Sequence, residues 1–221
     1  MLKIASFVDN QKLKRLKESL RYSLYVVTHP LDGFWDLTHE KRGSIGAANI
    51  IIILALFTRL LSLRYTSFLF VKVIWEQVNI IEIILGFLAP IWIATLGNWG
   101  LTTLFDGKGT IKDIYMALGY TLTPYVLIQL PLILVSNGMT ADEGSFLGVI
   151  SSFSYIWIGI LIYCAVMQIH DFTPGKTVLV IIATIIGMLL IVFVLLLLFS
   201  LISDAIAYFV SLFKEVAFRF Y

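Results

Sequence analysis

The chain of 221 residues has little of what soluble enzymes depend on. It has one cysteine, three histidines and only 14% charged residues. A lone cysteine, Cys164, excludes an internal disulfide and leaves the redox compartment unmarked. The first 25 residues lack a continuous apolar core, so they do not read as a cleavable signal peptide. No Ser-His-Asp, HExxH or paired-carboxylate constellation is present, and nothing suggests catalysis, a cofactor or a resident metal.

What is abundant is apolar surface. Hydrophobic residues make up 59% of the chain and the mean hydropathy is +0.94. Soluble domains are about 45–50% apolar and about 25% charged. Residues 178–203 carry no charge at all, and about 20 such residues span a bilayer. The expectation is an all-α polytopic membrane protein: a five-transmembrane-helix bundle with amphipathic N- and C-terminal helices.

The chain divides into a basic N-terminal part (1–44), a five-helix membrane domain (45–202) and an aromatic amphipathic tail (203–221). In the first part Leu13, Leu16, Leu20, Leu24 and Val27 recur every three or four residues, one helical face. Lys12, Lys14, Arg15, Lys17 and Arg21 fill the rest of that surface. Such a helix lies on an anionic leaflet or packs on protein. Pro30 ends it. Residues 31–44 read as a polar connector, with Phe34 and Trp35 at headgroup level. His29, Asp32, Asp36, His39 and Glu40 match no metal-ligand spacing.

The spans are predicted at 46–63, 80–105, 113–135, 146–169 and 177–202, with Ser44 capping the first. Pro90 lies within the second and Pro124 and Pro131 within the third. Ser151, Ser152 and Ser154, with Gly148 and Gly159, give the fourth a small-residue surface. Chain reversal puts Arg59 and Glu82 at one depth, which predicts a structural ion pair of Glu82 with Arg59 or Arg64. The tail either lies on the surface or continues the fifth helix.

Eleven Lys and Arg residues fall on the side of the N-terminus, including Lys108, Lys112 and Lys176, against five on the other, Lys72 among them. The positive-inside rule then makes the N-terminus cytoplasmic and the C-terminus extracellular.

Two turns meet on the cytoplasmic side. Asp106, Lys108, Lys112, His170 and Asp171 form a candidate docking surface there, or else ordinary solvated turns. TPGKT at 173–177 resembles the end of a phosphate-binding loop, but His170 stands where that loop needs its first glycine. Asn98, Thr102, Thr103, Tyr120, Thr121 and Thr123 either line a polar path or join helices by hydrogen bonds.

The segment FDGKGTIKDIYMALGYTLTPYVL, residues 105–127, is similar to the central signature of the Yip-domain family of five-span membrane proteins. The matching residues are Gly107, Gly109, Gly119, Tyr120 and Pro124. The resemblance runs from about residue 22 to 217, and the YSLYVVTHPLDGFWDLTHEKRG start, the GNWGLTTLFDG turn and the final aromatic tail look like a Gram-positive bacterial subgroup. It implies a five-helix bundle with a cytoplasmic N-terminus in the bacterial plasma membrane. The subgroup lies beside ABC transporter genes, including sugar importers. The implied role is therefore a non-enzymatic accessory subunit of a carbohydrate ABC importer, with permease subunits and membrane lipids as partners and no nucleic acid. Alternatives are a stand-alone lipid-interacting scaffold and a small channel or transporter.

Overall fold

Apolar periodicity, broken by turn chemistry, fixes where each helix starts. Thr110 and Asp113 make a reciprocal capping box: Asp113 N–H donates to the Thr110 hydroxyl at 3.3 Å and Thr110 N–H donates to the Asp113 carboxylate at 3.2 Å. The Ser44 hydroxyl accepts from Ala47 N–H at 3.1 Å, as predicted. The computed structural model describes residues 2–71 and 74–220. Lys72 and Tyr221 lie outside them, as do the side chains of Lys3 and Lys12.

The described residues form eight helices and no strand: α1 (Leu2–Thr28), α2 (Pro30–His39), α3 (Ile45–Tyr65), α4 (Ile80–Thr102), α5 (Ile111–Thr121), α6 (Thr123–Ser136), α7 (Gly144–His170) and α8 (Pro174–Phe220). Five stretches are long and apolar enough to cross a membrane: Ile45–Tyr65, Ile80–Phe105, Ile111–Ser136, Ala141–His170 and Pro174–Arg219. The end holding α1, α2 and the 103–110 and 171–173 turns is called the basic end; the other is the far end.

The third span is two helices. Pro124 has no N–H to give the Tyr120 carbonyl, and the Thr123 hydroxyl donates to that carbonyl instead, at 2.8 Å. The helix therefore breaks at Leu122 without stranding a buried oxygen.

The residues of 31–44 are not all connector. Pro30 sits at the first position of α2, where its missing N–H costs nothing. Phe34 and Leu37 are fully buried, so Phe34 belongs to the core and not to the headgroup level. Trp35 is exposed.

The face that α1 presents keeps part of the leucine stripe, Leu16, Leu20 and Val27 packing on the core, and shifts the rest. Ser19, Ser23 and Val26 are buried, while Leu13 is 67% and Leu24 49% exposed. Small residues allow the closest approach, and polar contacts fix it: Ser19 Oγ donates to the Arg42 carbonyl at 3.1 Å and Tyr22 Oη to the Gly33 carbonyl at 3.0 Å. A Cβ at Gly33 would stand 2.9 Å from Val26 Cα. So α1 packs on its own bundle, against α2, α3, α5 and α6.

The predicted pair of Arg59 with Glu82 does not form, because α3 packs on α5 and α6 whereas α4 packs on α8 and α5. Glu82 accepts from Asn79 Nδ2 at 3.0 Å, and the Arg64 guanidinium lies 5.3 Å from the Trp75 ring centre. No ion pair joins Glu82 to Arg59 or Arg64 among the described residues.

The core lies among α1, α2, α3, α5 and α7 and includes Phe34, Ala48, Ala117, Tyr120, Leu161 and Ala165. The α4–α8 pair joins it near the basic end, where α4 buries Thr95, Gly97, Asn98 and Thr102 and α8 buries Thr177, Val180 and Thr184. From Val192 to Arg219 every residue of α8 is exposed. The tail continues the fifth helix, with no break at 202–203. Its 47 residues reach about 70 Å at 1.5 Å per residue.

Candidate functional site

The two turns of the basic end close over one buried side chain. Asp106 ends the 3₁₀ turn Thr103–Phe105 in the left-handed region at φ 56, and Asp171 ends α7 the same way at φ 52. Aspartate is among the few non-glycine residues that adopt this geometry readily. The glycines between them serve space, since none in the described chain has positive φ. A Cβ on Gly107 would meet His170 Nδ1 at 2.6 Å and Thr102 Cβ at 2.7 Å, and one on Gly109 would meet His170 Cε1 at 2.7 Å. The turn thus lies flat on the imidazole.

His170 is 1% exposed. Gly109 N–H donates to its Nδ1 at 3.1 Å, so Nδ1 carries no proton. Its Nε2–H donates to Asn98 Oδ1 at 3.0 Å. Asn98 Nδ2 donates to Thr184 Oγ1 at 3.1 Å, and that hydroxyl donates to the Val180 carbonyl at 2.8 Å. Every partner has one consistent role, which fixes a neutral imidazole. The chain ties the 106–109 turn, α7, α4 and α8 into one latch. Thr102 Oγ1 donates to the Asn98 carbonyl at 2.7 Å and braces it from below.

Outside the latch, Lys108 Nζ pairs with Asp171 Oδ2 at 2.8 Å, and His39 Nε2 lies 4.0 Å from Asp171 Oδ1. Lys176 donates to the Phe105 carbonyl at 2.7 Å with its ammonium 4.5 Å from the Phe172 ring, which stacks on His170. The predicted docking set therefore divides. Asp106, Lys108, Lys112 and Asp171 are exposed, whereas His170 is interior and grips no partner. The predicted signature residues are brought together in two groups. Gly107 and Gly109 cover His170. Gly119, Tyr120 and Pro124 lie deeper, where a Cβ on Gly119 would stand 2.8 Å from Ala48 Cβ. Tyr120 is fully buried; its hydroxyl donates to the Ser19 carbonyl at 3.2 Å and accepts from Ser44 N–H at 3.3 Å.

Beside this end, Arg42 pairs with Glu40 at 2.7 Å and Asp36 at 3.4 Å. Glu40 first, then Asp36, holds its guanidinium above the usual range. Burial, with Asp36 beside it, pushes the Tyr22 phenol well above the usual tyrosine range. TPGKT forms no phosphate loop: Pro174 starts α8, and Thr177 is buried with its hydroxyl on the Thr173 carbonyl at 3.0 Å. No cluster of three His, Cys, Asp or Glu residues suited to a metal occurs among the described residues.

Sequence reasoning singled out Asn98 and His170 but did not join them, and it passed over Thr184. The available signal was three polar residues near the same end of apolar runs: His170 at the last position of α7, Asn98 about one turn inside α4 and Thr184 about three turns inside α8.

An all-α bundle of five membrane-spanning stretches, latched at one end by polar contacts, defines a multi-pass membrane protein. The chain belongs to the Yip family: the family model described as Yip1 domain matches residues 24–213. No curated protein and no solved structure matches it.

Proposed function

We propose that this Yip-family chain is a non-enzymatic scaffold that docks laterally on other membrane proteins. One observation carries the reading: the outer half of α8, 28 residues from Val192 to Arg219, is exposed all round. Lipid covers the apolar surface of α8 within one bilayer thickness of about 30 Å, and the part that extends past it calls for protein contact rather than lipid. We further propose an ABC importer for carbohydrates as the docking partner, with the N-terminus cytoplasmic and the C-terminus extracellular in a bacterial plasma membrane. The choice of partner rests on the resemblance to the bacterial subgroup, and the orientation on the charge census.

The two other readings have less support. A lipid-interacting scaffold would rely on the apolar face of α1, and the closest-packed part of that face lies against the bundle. A channel or transporter would need free polar groups at membrane depth, and Asn98, Tyr120, Thr121 and Thr123 all spend theirs within the bundle.

The test is purification of the full chain in mild detergent, with and without residues 203–221. Permease and ATPase subunits should co-purify with the full chain and be lost on truncation. Recovery of the full chain as a lone monomer under several mild conditions sinks the proposal.

A further inference from the structure

Four helices, α4, α5, α7 and α8, form a ring in which each packs on its two neighbours. Neither diagonal, α4 to α7 nor α5 to α8, makes substantial contact. At the centre lies a cavity of about 460 Å³. It runs from Asn98, Ile114 and Ile169 at the basic end to Pro90, Leu122 and Ile158 at mid-bundle. The His170–Asn98–Thr184 latch closes its floor. It opens toward mid-bundle, where α4 before Thr95 and α8 after Thr184 bury nothing.

The chemistry of the wall selects the occupant. Only Asn98, Thr121 and Thr184 among the lining residues are polar. Each is already bonded: Asn98 to His170 and Thr184, Thr184 to Val180, and Thr121 to the Leu118 carbonyl at 2.7 Å. Every polar side chain on the wall therefore already has a partner within the bundle, and the rest of the wall offers only apolar side chains to an occupant. Water gains nothing there, since apolar cavities stay dry, and an empty one forfeits the contacts of its lining atoms. The volume falls within the roughly 300–1,000 Å³ of ligand sites.

Shape separates two apolar occupants. Pro90 and Asn98 are eight residues apart, about 12 Å along the axis. A partner's transmembrane helix crosses about 30 Å of hydrocarbon, more than twice that length, so it does not fit against the closed floor, whereas the end of a single alkyl chain does. We propose that the ring is a binding site for one acyl chain of a bilayer lipid. The chain enters from the open mid-bundle side and its tip rests on the latch.

Gly159 offers a direct test. It lines the cavity, and a Cβ there would meet nothing within 4 Å. Gly148, on the same helix, is equally unobstructed but lies outside the cavity. The full chain is reconstituted in phosphatidylcholine vesicles containing a trace of phosphatidylcholine with a photoreactive diazirine along one acyl chain. After illumination, peptide mass spectrometry compares labelling at Leu118 and Ile162 with labelling at exposed Leu134 and Val149.

Wild-type and Gly148→Trp chains should label at the cavity positions. Gly159→Trp should lower labelling there about tenfold or more and leave Leu134 and Val149 unchanged. Circular dichroism verifies the fold, and Gly159→Leu replaces the tryptophan if the larger side chain unfolds the protein. Absence of cavity labelling in the wild type overturns the proposal, as does unchanged labelling in a folded Gly159 variant. The outcome does not depend on whether the chain docks on a permease.

Discussion

His170 and Asn98, 72 positions apart in the sequence, share a buried hydrogen bond of 3.0 Å that joins the ends of α7 and α4. Removing either partner leaves the other's polar atom unpaired in an apolar interior, which costs about 1–3 kcal/mol. Asn98→Ala and His170→Ala should each lower the melting temperature in detergent. The double variant should lose less than the sum, with a coupling of about 0.6–2 kcal/mol. Strict additivity would show that the bond contributes nothing.

The turn over His170 should tolerate no side chain. Gly107→Ala and Gly109→Ala place a methyl group within 2.7 Å of the imidazole, and overpacking costs about 1–3 kcal/mol. Both variants should fall in stability. Gly100→Ala, where a Cβ meets nothing within 4 Å, should be neutral or gain a few tenths of a kcal/mol from helix propensity. Equal behaviour of all three would remove the steric explanation.

Tyr120 holds α1 to the start of α3 through its hydroxyl. Tyr120→Phe keeps the ring but leaves Ser44 N–H unpaired, at about 1–2 kcal/mol. Limited proteolysis should then cut within α1 several-fold faster than in the wild type while the spans stay protected. An unchanged cleavage rate would exclude this role.

The pair of Lys108 with Asp171 is solvent-exposed, the lysine side chain at 71%. Lys108→Ala should change stability by at most about 1 kcal/mol, and less at high salt. Asp171 stands at φ 52, so Asp171→Gly should recover in backbone strain much of what it loses in charge, and Asp171→Val should not. Melting curves of the three variants at low and high salt check both statements.

The extent of each span was legible in the sequence; position around the bundle was not. Apolar runs placed the five spans. They are blind to which helices are neighbours. Arg59 and Glu82 were matched in depth, yet α3 and α4 lie against different helices. Asn98 and His170 meet for a reason equally invisible along the chain. The leucine stripe of α1 told only part of its packing for a related cause: Ser19 and Ser23 permit the closest approach, and Ser19 hydrogen-bonds to the Arg42 carbonyl once there. The sequence left open whether the tail lies on the surface or continues the fifth helix, because Ser203 and Asp204 interrupt the apolar run; neither stops a helix, and α8 continues through them.

From Met188 to Phe220, α8 contains no glycine or proline, the usual sources of a kink. Thr184, one turn before Met188, stands about 39 Å from Val210 on the same continuous helix. A partner that twists the outer end of such a rod twists its foot by the same angle, and the foot carries the hydroxyl that Asn98 holds. Torque applied outside the bilayer would then arrive at the His170 turn on the opposite face, with no soluble domain and no loop in between.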